Sequence, residues 1–435
     1  MMGKPGGLPH RVLHCKETMT FDPSEKLAAD GGPRAKRTPF PRRKRHGELD
    51  KRLLAEVIDA DVLFYYFGTK VRELEKRFAA MYGRKHAIAC SSGTSAVHVA
   101  LCLLELPPGS EVITTCITDM GGLTGILYQG LVPVFADVEH DTLNLDPVSV
   151  RRLITPRTRA IIATHHAGLA ADMDALIAIG REFGIPVFED CAQAYGCEYK
   201  GRLAGTMTPL STFSLNHFKH INCGSGGMVL TDDERLRYLA ALYIDKCYQR
   251  EEGIRNPFFL APNYQMTELQ GAVALAQLER LPEIVAARSR LGTRLDRQLA
   301  EIPGISPQTV AAGSKHSYFL HLFKLDLELL GATSEEFSAA LNAEGVPNKA
   351  HLITGGMPVH LYRVFQERSA FPGTDYPFAG RVYARGDCPV AEDAFDRWIT
   401  MDLFEHYTET DIDEIAFGVA KVAWHFARRS VAVPA

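Results

Sequence analysis

The run AIIATHHAGLAADMDALIAIGREFGIPVFED, residues 160–190, sets two short apolar segments, AIIATH (160–165) and IPVFED (185–190), around the amphipathic stretch DMDALIAIGREFG (172–184). Short apolar runs bounded by polar turns read as strands, and the three-and-four spacing between them reads as a helix. Two strands joined through a helix pair in parallel, because a tight hairpin cannot connect them. The pattern repeats outward. Further strand candidates are HAIAC (86–90), EVITT (111–115), PVFADV (133–138), TFSL (212–215) and GMVLT (227–231), with helical stretches VRELEKRFAAMYG (71–83) and SAVHVALCLLEL (95–106) among them. This alternation predicts an α/β fold with a large, mainly parallel sheet covered by helices on both faces.

Downstream, residues 267–302 are helical in pattern with a break expected at Pro282. After Pro303 the texture changes to YFLHLFKLDL (318–327), SEEFSAALNAEG (334–345) and a last helix, DIDEIAFGVAKVAWHFARR (411–429), which suggests a smaller α+β domain. The expected organisation is a flexible basic arm over 1–45, a large domain over 46–300 and a small C-terminal domain over 301–435. The arm carries seven Lys/Arg between Arg34 and Arg45. It reads either as a solvated tail or as a segment that approaches a phosphorylated substrate.

Composition narrows the function. Of 435 residues, 46% are hydrophobic and 23% charged, which excludes wholesale disorder. The net charge of −4 gives no overall field for nucleic acid or an anionic membrane. The nine cysteines include no CxxC pair, so neither a zinc motif nor a disulfide scaffold is expected. The opening MMGKPGGLPH has no apolar leader core, and no apolar run is long enough to span a bilayer. A cytoplasmic, reducing setting is the expectation.

In an open parallel sheet, ligands collect beyond the carboxyl ends of the strands, and three segments there carry chemistry. CSSGTSA (90–96) joins a strand to a helix and can offer amides and hydroxyls to an anion, or simply cap the helix through Ser91, Ser92 or Thr94. VFEDCAQA (187–194) ends a strand on Asp190, a carboxylate that needs a cationic or donor partner if buried. FSLNHFKHINCGSGG (213–227) holds Lys219 between a strand and a glycine-rich turn, where a desolvated amine becomes a nucleophile toward carbonyls. Each has a bland reading alone. Together, an anion cup, a buried acid and a lysine match the needs of pyridoxal phosphate.

The same segments resemble the DegT/StrS family of sugar aminotransferases, fold-type I enzymes that use pyridoxal phosphate. The likeness rests on ACSSGTSAVHVAL, VPVFADVEHDTLNLDP, FEDCAQAYGCEYKGRLAGT, FSLNHFKHINCGSGGMVLTDD and NYQMTELQGAVALAQLERL, and runs from about residue 70 to 290. It implies Lys219 as the residue that holds the cofactor and catalyses, Asp190 at the pyridinium nitrogen and Gln193 at the ring hydroxyl. Gly93, Thr94, Ser95 and Ser214 then lie on the phosphate side, and Asn263 reaches the phosphate of a neighbouring subunit in a homodimer. His165 matches a family histidine and is a candidate substrate contact; His166 beside it is another. No metal is expected.

The sequence also departs from the family. Asp119 or Met120 stands where an aromatic residue usually stacks on the cofactor, Ser225 replaces a glutamate in GSGG, and Gln265 replaces an arginine in NYQM. The resemblance implies amino transfer from an amino acid, glutamate or glutamine, to a keto-sugar or keto-cyclitol in sugar or secondary-metabolite biosynthesis. The alternatives are a sugar dehydratase and a non-catalytic cofactor-binding homologue. Family dehydratases carry His at the lysine position, which Lys219 argues against.

Overall fold

The computed structural model describes residues 25–352 and 356–432. Two helices, α1 (Glu48–Asp59) and α2 (Lys70–Met81), precede the central sheet. Its parallel strands alternate with helices: β1 (His86–Cys90), α3 (Gly93–Leu103), β2 (Glu111–Thr115), α4 (Gly121–Tyr128), β3 (Val132–Ala136), α5 (Pro147–Leu153), β4 (Thr158–Thr164), α6 (Met173–Phe183) and β5 (Val187–Asp190). A two-residue hairpin, β6 (Glu198–Tyr199) and β7 (Arg202–Leu203), leads to β8 (Leu210–Ser214) and β9 (Gly227–Thr231). The sheet order is β1-β9-β8-β5-β4-β2-β3. Only β9 runs against its neighbours, pairing antiparallel with both β1 and β8. The carboxyl ends of the other six strands therefore share one edge. That edge holds Ser91–Ser95 after β1, Asp190 at the tip of β5 and Ser214 at the tip of β8.

Local sequence explains the punctuation. Asp172 accepts the Ala175 amide at 3.1 Å to start α6, and Gly184 ends that helix at φ 65°, a conformation costly for residues with a Cβ. Strand β4 stops at Thr164, so the two histidines expected at the end of AIIATH lie just past it.

After α7 (Glu234–Ile244) comes α8 (Glu268–Leu299). The break expected at Pro282 does not occur: α8 is one helix of 32 residues with Pro282 inside it. An internal proline costs about 3 kcal/mol. Burial on both sides offsets it, since Leu278, Leu281, Ile284 and Val285 pack into the core beside β8 and β9, while Leu291, Leu295 and Leu299 enter a second core. Each such side chain contributes roughly 1.5–3 kcal/mol. The second core lies around an antiparallel sheet of β10 (Ile305–Pro307), β11 (His321–Leu325) and β12 (Trp398–Met401). Around it run α9 (Leu327–Leu330), α10 (Ser334–Ala343), α11 (Arg363–Gln366), α12 (Pro389–Arg397) and α13 (Glu409–Ala432).

Of the arm expected to be flexible, residues 1–24 lie outside the described residues. Residues 25–45 do not run loosely over the surface; buried ion pairs fasten them to the C-terminal part of the chain. Lys36 Nζ meets Asp411 Oδ1 at 2.7 Å and Glu414 Oε2 at 2.8 Å, and all three side chains are 4% exposed or less. Arg43 Nε lies 3.0 Å from Glu405 Oε1, and the Ala35 amide donates to Glu344 Oε2 at 2.8 Å. The carboxylates that neutralise the basic run sit far along the chain, where no local pattern reveals them.

Breaking a buried pair strands an uncompensated charge. Lys36→Ala is expected to lower the unfolding free energy by on the order of 3 kcal/mol in denaturant titrations. Lys51→Ala, which loses only an exposed pair with Glu48, should leave it unchanged. Burial works against the charges of Asp411 and Glu414, but Lys36 and the hydroxyls of Thr408 and Thr38 outweigh it and hold both pKa values below normal. Their contribution is therefore present above the ordinary carboxylate range and lost as pH falls through it, so the Lys36→Ala deficit should shrink in acid.

Candidate active site

At the end of β1 the backbone turns into α3 with Ser92 as N-cap. Ser92 Oγ accepts from the Ser95 amide at 3.0 Å, and Ser95 Oγ accepts from the Ser92 amide at 2.9 Å while donating to the Ser92 carbonyl at 2.8 Å. Ser95, expected as a direct phosphate contact, spends its amide and hydroxyl on the cap in this structure. The Gly93 and Thr94 amides and the Thr94 hydroxyl remain uncommitted at a helix N terminus, where an anion is favoured. Gly93 has to be glycine: a Cβ there would lie 2.5 Å from the Ser214 Cβ. That close approach draws the tip of β8 against the start of α3.

Thr94 faces the start of α4. A Cβ on Gly121 would come within 2.7 Å of Thr94 Oγ1 and 3.0 Å of Asp119 Oδ1, and one on Gly122 within 3.6 Å of Asp190 Oδ2. Glycine at 121 therefore lets the start of α4 lie close against Thr94, and Gly122 sets the same helix beside the acid. Asp190 is 4% exposed and takes the Ala192 amide on Oδ1 at 3.0 Å. Burial pushes its pKa up, opposed by that amide and by the charge of Lys219. Lys219 shows the mirror image: desolvation lowers its pKa, while Asp190 and Asp119 pull it back up. The amine rests over the Phe319 ring, 4.4 Å from its centroid. An acid and an amine share one desolvated space, each the other's main source of charge compensation.

The remaining candidates divide. Gln193 is buried, with Oε1 accepting the Ala167 amide at 2.9 Å, so its side chain is oriented and its amide nitrogen remains available. Ser214 is buried, its Oγ accepting from the Asn216 amide at 3.3 Å and its carbonyl taking the Tyr195 hydroxyl at 3.0 Å. Asn263 is exposed and accepts only its own turn's Gln265 amide at 3.4 Å. The next carbonyl, of Tyr264, accepts the Ser91 amide at 2.7 Å, which sets this segment beside the anion cup.

His165 is fully buried with both nitrogens used inside the protein: Nδ1 accepts the Ala171 amide at 3.1 Å, and Nε2 faces Glu189 Oε2 at 3.1 Å. These two bonds hold the ring of this expected substrate contact in place. Its neighbour is the opposite case. His166 is 1% exposed and neither ring nitrogen has a protein partner. Burial, then the charge of Lys219, push its pKa down to about 4, so the ring is neutral near neutral pH.

Sequence reasoning missed Glu189, which points to the face of β5 opposite Asp190. Its Oε1 takes the amides of Met207 and Thr208, each at 2.9 Å, and its Oε2 takes the Gly205 amide at 2.6 Å. Burial disfavours this charge, but His165 and the amides outweigh it and depress the pKa. Strand alternation in VFED hinted at a second inward acid; nothing local pointed to Phe319, which arrives from beyond residue 300.

An open, mainly parallel sheet with an acid and a lysine at its strand ends, beside a free helix N terminus, has the architecture of a fold-type I transferase. The chain belongs to the DegT/DnrJ/EryC1/StrS aminotransferase family, whose profile matches residues 45–420. It is similar to the spore coat polysaccharide biosynthesis protein SpsC of Bacillus subtilis (strain 168), at 32% identity over 365 residues, 82% of this chain and 90% of that protein. Among solved structures it is similar to 3-amino-5-hydroxybenzoic acid (AHBA) synthase, with 28% identity, a TM-score of 0.78 and coverage of 88% of this chain and 98% of that one. It is also similar to DesI, solved in the presence of its TDP-sugar product, with 26% identity, a TM-score of 0.78 and coverage of 93% and 98%.

Glu189→Gln keeps the shape but turns an acceptor toward the loop amides into a donor. The expected result is a loss of about 2–4 kcal/mol in unfolding free energy, read by thermal or denaturant melting, with the loop at 205–208 more open to proteolysis.

Proposed function

We propose that this chain is a pyridoxal-phosphate-dependent aminotransferase that moves an amino group from glutamate or glutamine to a keto-sugar or keto-cyclitol, as a homodimer. The observation that carries the reading is the desolvated Lys219 amine, compensated by the buried Asp190 carboxylate, beside the helix N terminus at Gly93 and Thr94. The likeness to a polysaccharide biosynthesis protein and to DesI supports a sugar acceptor. The residues present fit the cofactor: uncommitted amides for a phosphate, a buried acid for a ring nitrogen and an amine for an aldehyde.

The cofactor, when bound, supplies an electrophilic aldehyde and a ring that draws electrons from the substrate's reacting carbon. The Gly93 and Thr94 amides and the Thr94 hydroxyl bind the phosphate. Asp190 would hold the cofactor's ring nitrogen and favour its protonated form, and the Gln193 amide nitrogen would be a donor for the ring hydroxyl. Lys219 would hold the cofactor's aldehyde, and its amine is the group suited to act as general base toward Cα of the amino donor. Burial suits it to this, since a lowered pKa yields free amine at lower pH. Phe319 keeps water off the amine. Asn263, exposed on its own chain, serves the phosphate of the second subunit.

Purified protein should be yellow, lose its colour in Lys219→Ala, and carry the cofactor on Lys219 after borohydride reduction, as peptide mass spectrometry reads. Turnover should fall by roughly 10²–10⁴-fold in that variant. Half-maximal cofactor attachment in the wild type should lie below the ~10.4 of an ordinary lysine. Labelled nitrogen from glutamate or glutamine should appear in the sugar product. Unlabelled product, or full turnover by Lys219→Ala, overturns the assignment.

A further inference from the structure

Among the described residues, two groups of buried ligating side chains lie close together, and they differ in how far their donor atoms are already committed. His165, Glu189 and Cys191 form the first. Both histidine nitrogens are bonded there, and Glu189 is saturated by backbone amides, so no ligand set remains. The second comprises Cys116, just after β2, His360 in the short turn Val359–Leu361 before α11, and Cys388, the N-cap of α12. One ligand atom from each lies within 4.8 Å of the other two. All three residues are 0% exposed and neither cysteine is in a disulfide; the Cys388 thiol donates only a long bond to the Phe135 carbonyl, at 3.8 Å.

The imidazole is already oriented. His360 Nε2 lies 3.0 Å from Glu392 Oε1, which fixes the proton on Nε2 and leaves the lone pair on Nδ1. Nδ1 is buried and has no partner. A carboxylate behind a histidine whose other nitrogen is open is the outer layer that metal-binding histidines carry. The backbone holds the parts together, since the Val359 amide donates to the Cys116 carbonyl at 2.9 Å. Asp137, the other nearby acid, is spent on the Val390 and Ala391 amides at the start of α12, each at 2.9 Å. Two sulfurs and one imidazole nitrogen are a soft donor set.

We propose that Cys116, Cys388 and Nδ1 of His360 form a site for one Zn2+ ion, tying the end of β2 to the turn before α11 and to the start of α12. Binding displaces one proton from each thiol, and two thiolates with a divalent ion leave the buried centre without net charge. Three protein ligands leave a fourth position for a water. The ligands are separate from the cofactor residues, so the site stands or falls apart from the aminotransferase reading.

The test uses tag-free, full-length protein with cofactor bound, kept reduced, equilibrated with Zn2+ and then dialysed against metal-free buffer. Elemental analysis should find about one zinc per chain, with binding weakened by roughly 10–100-fold in Cys388→Ser and in His360→Gln. Co2+ in place of Zn2+ should give a thiolate-to-metal absorbance that Cys388→Ser weakens. Zn2+ should raise the melting temperature of the wild type and of neither variant. Circular dichroism checks folding; if one variant fails, the wild-type stoichiometry and cobalt spectrum with the other variant decide. Folded, reduced wild type that retains no zinc overturns the proposal, as does equal zinc in wild type and variants. A Cys116–Cys388 disulfide forming in protein that takes up no zinc when reduced also overturns it.

Discussion

One constraint organises the molecule: an acid and an amine are both withdrawn from water at the carboxyl edge of a parallel sheet. Neither charge is tolerable there alone. Asp190 is displaced toward its neutral form and Lys219 toward its own, and each is the other's main remedy. The strand order makes the pairing possible, since β5 and β8 are neighbours and their tips carry Asp190 and the approach to Lys219. The glycines follow from the same demand. Gly93 lets α3 close on Ser214, and Gly121 lets the start of α4 close on Thr94.

Around this pair stands a supporting layer. Glu189 and His165 lie back to back with the site, one gathering the amides of the 205–208 loop and the other bonded at both nitrogens. Adjacent residues on β5 and just past β4 thus divide the labour: one of each pair faces the site and the other holds the scaffold. The twin histidines show the rule most clearly. His165 is fully bonded, whereas His166 is buried with free nitrogens close enough to Lys219 to feel its charge.

The sheet and the placement of Lys219, Asp190 and the α3 terminus were legible because they depend on short-range patterns: apolar runs, turn residues and position at strand ends. What stayed hidden depends on contacts between distant segments. Pro282 reads as a helix stop until two cores are seen to clasp α8 on either side. Ser95 reads as a ligand, and its capping bonds are seen only in the structure. Phe319 and the Cys116–His360–Cys388 grouping have no sequence spacing that announces them, since their members come from opposite halves of the chain.

The anchoring of residues 25–45 bears on the order in which the chain can be completed. Lys36 leaves the ribosome early, while Asp411 and Glu414 emerge 375 and 378 residues later. During synthesis the basic segment has to await several hundred further residues before these counter-charges exist. Its pairing with α13 is therefore a long-range contact formed late, joining segments that emerge far apart in time.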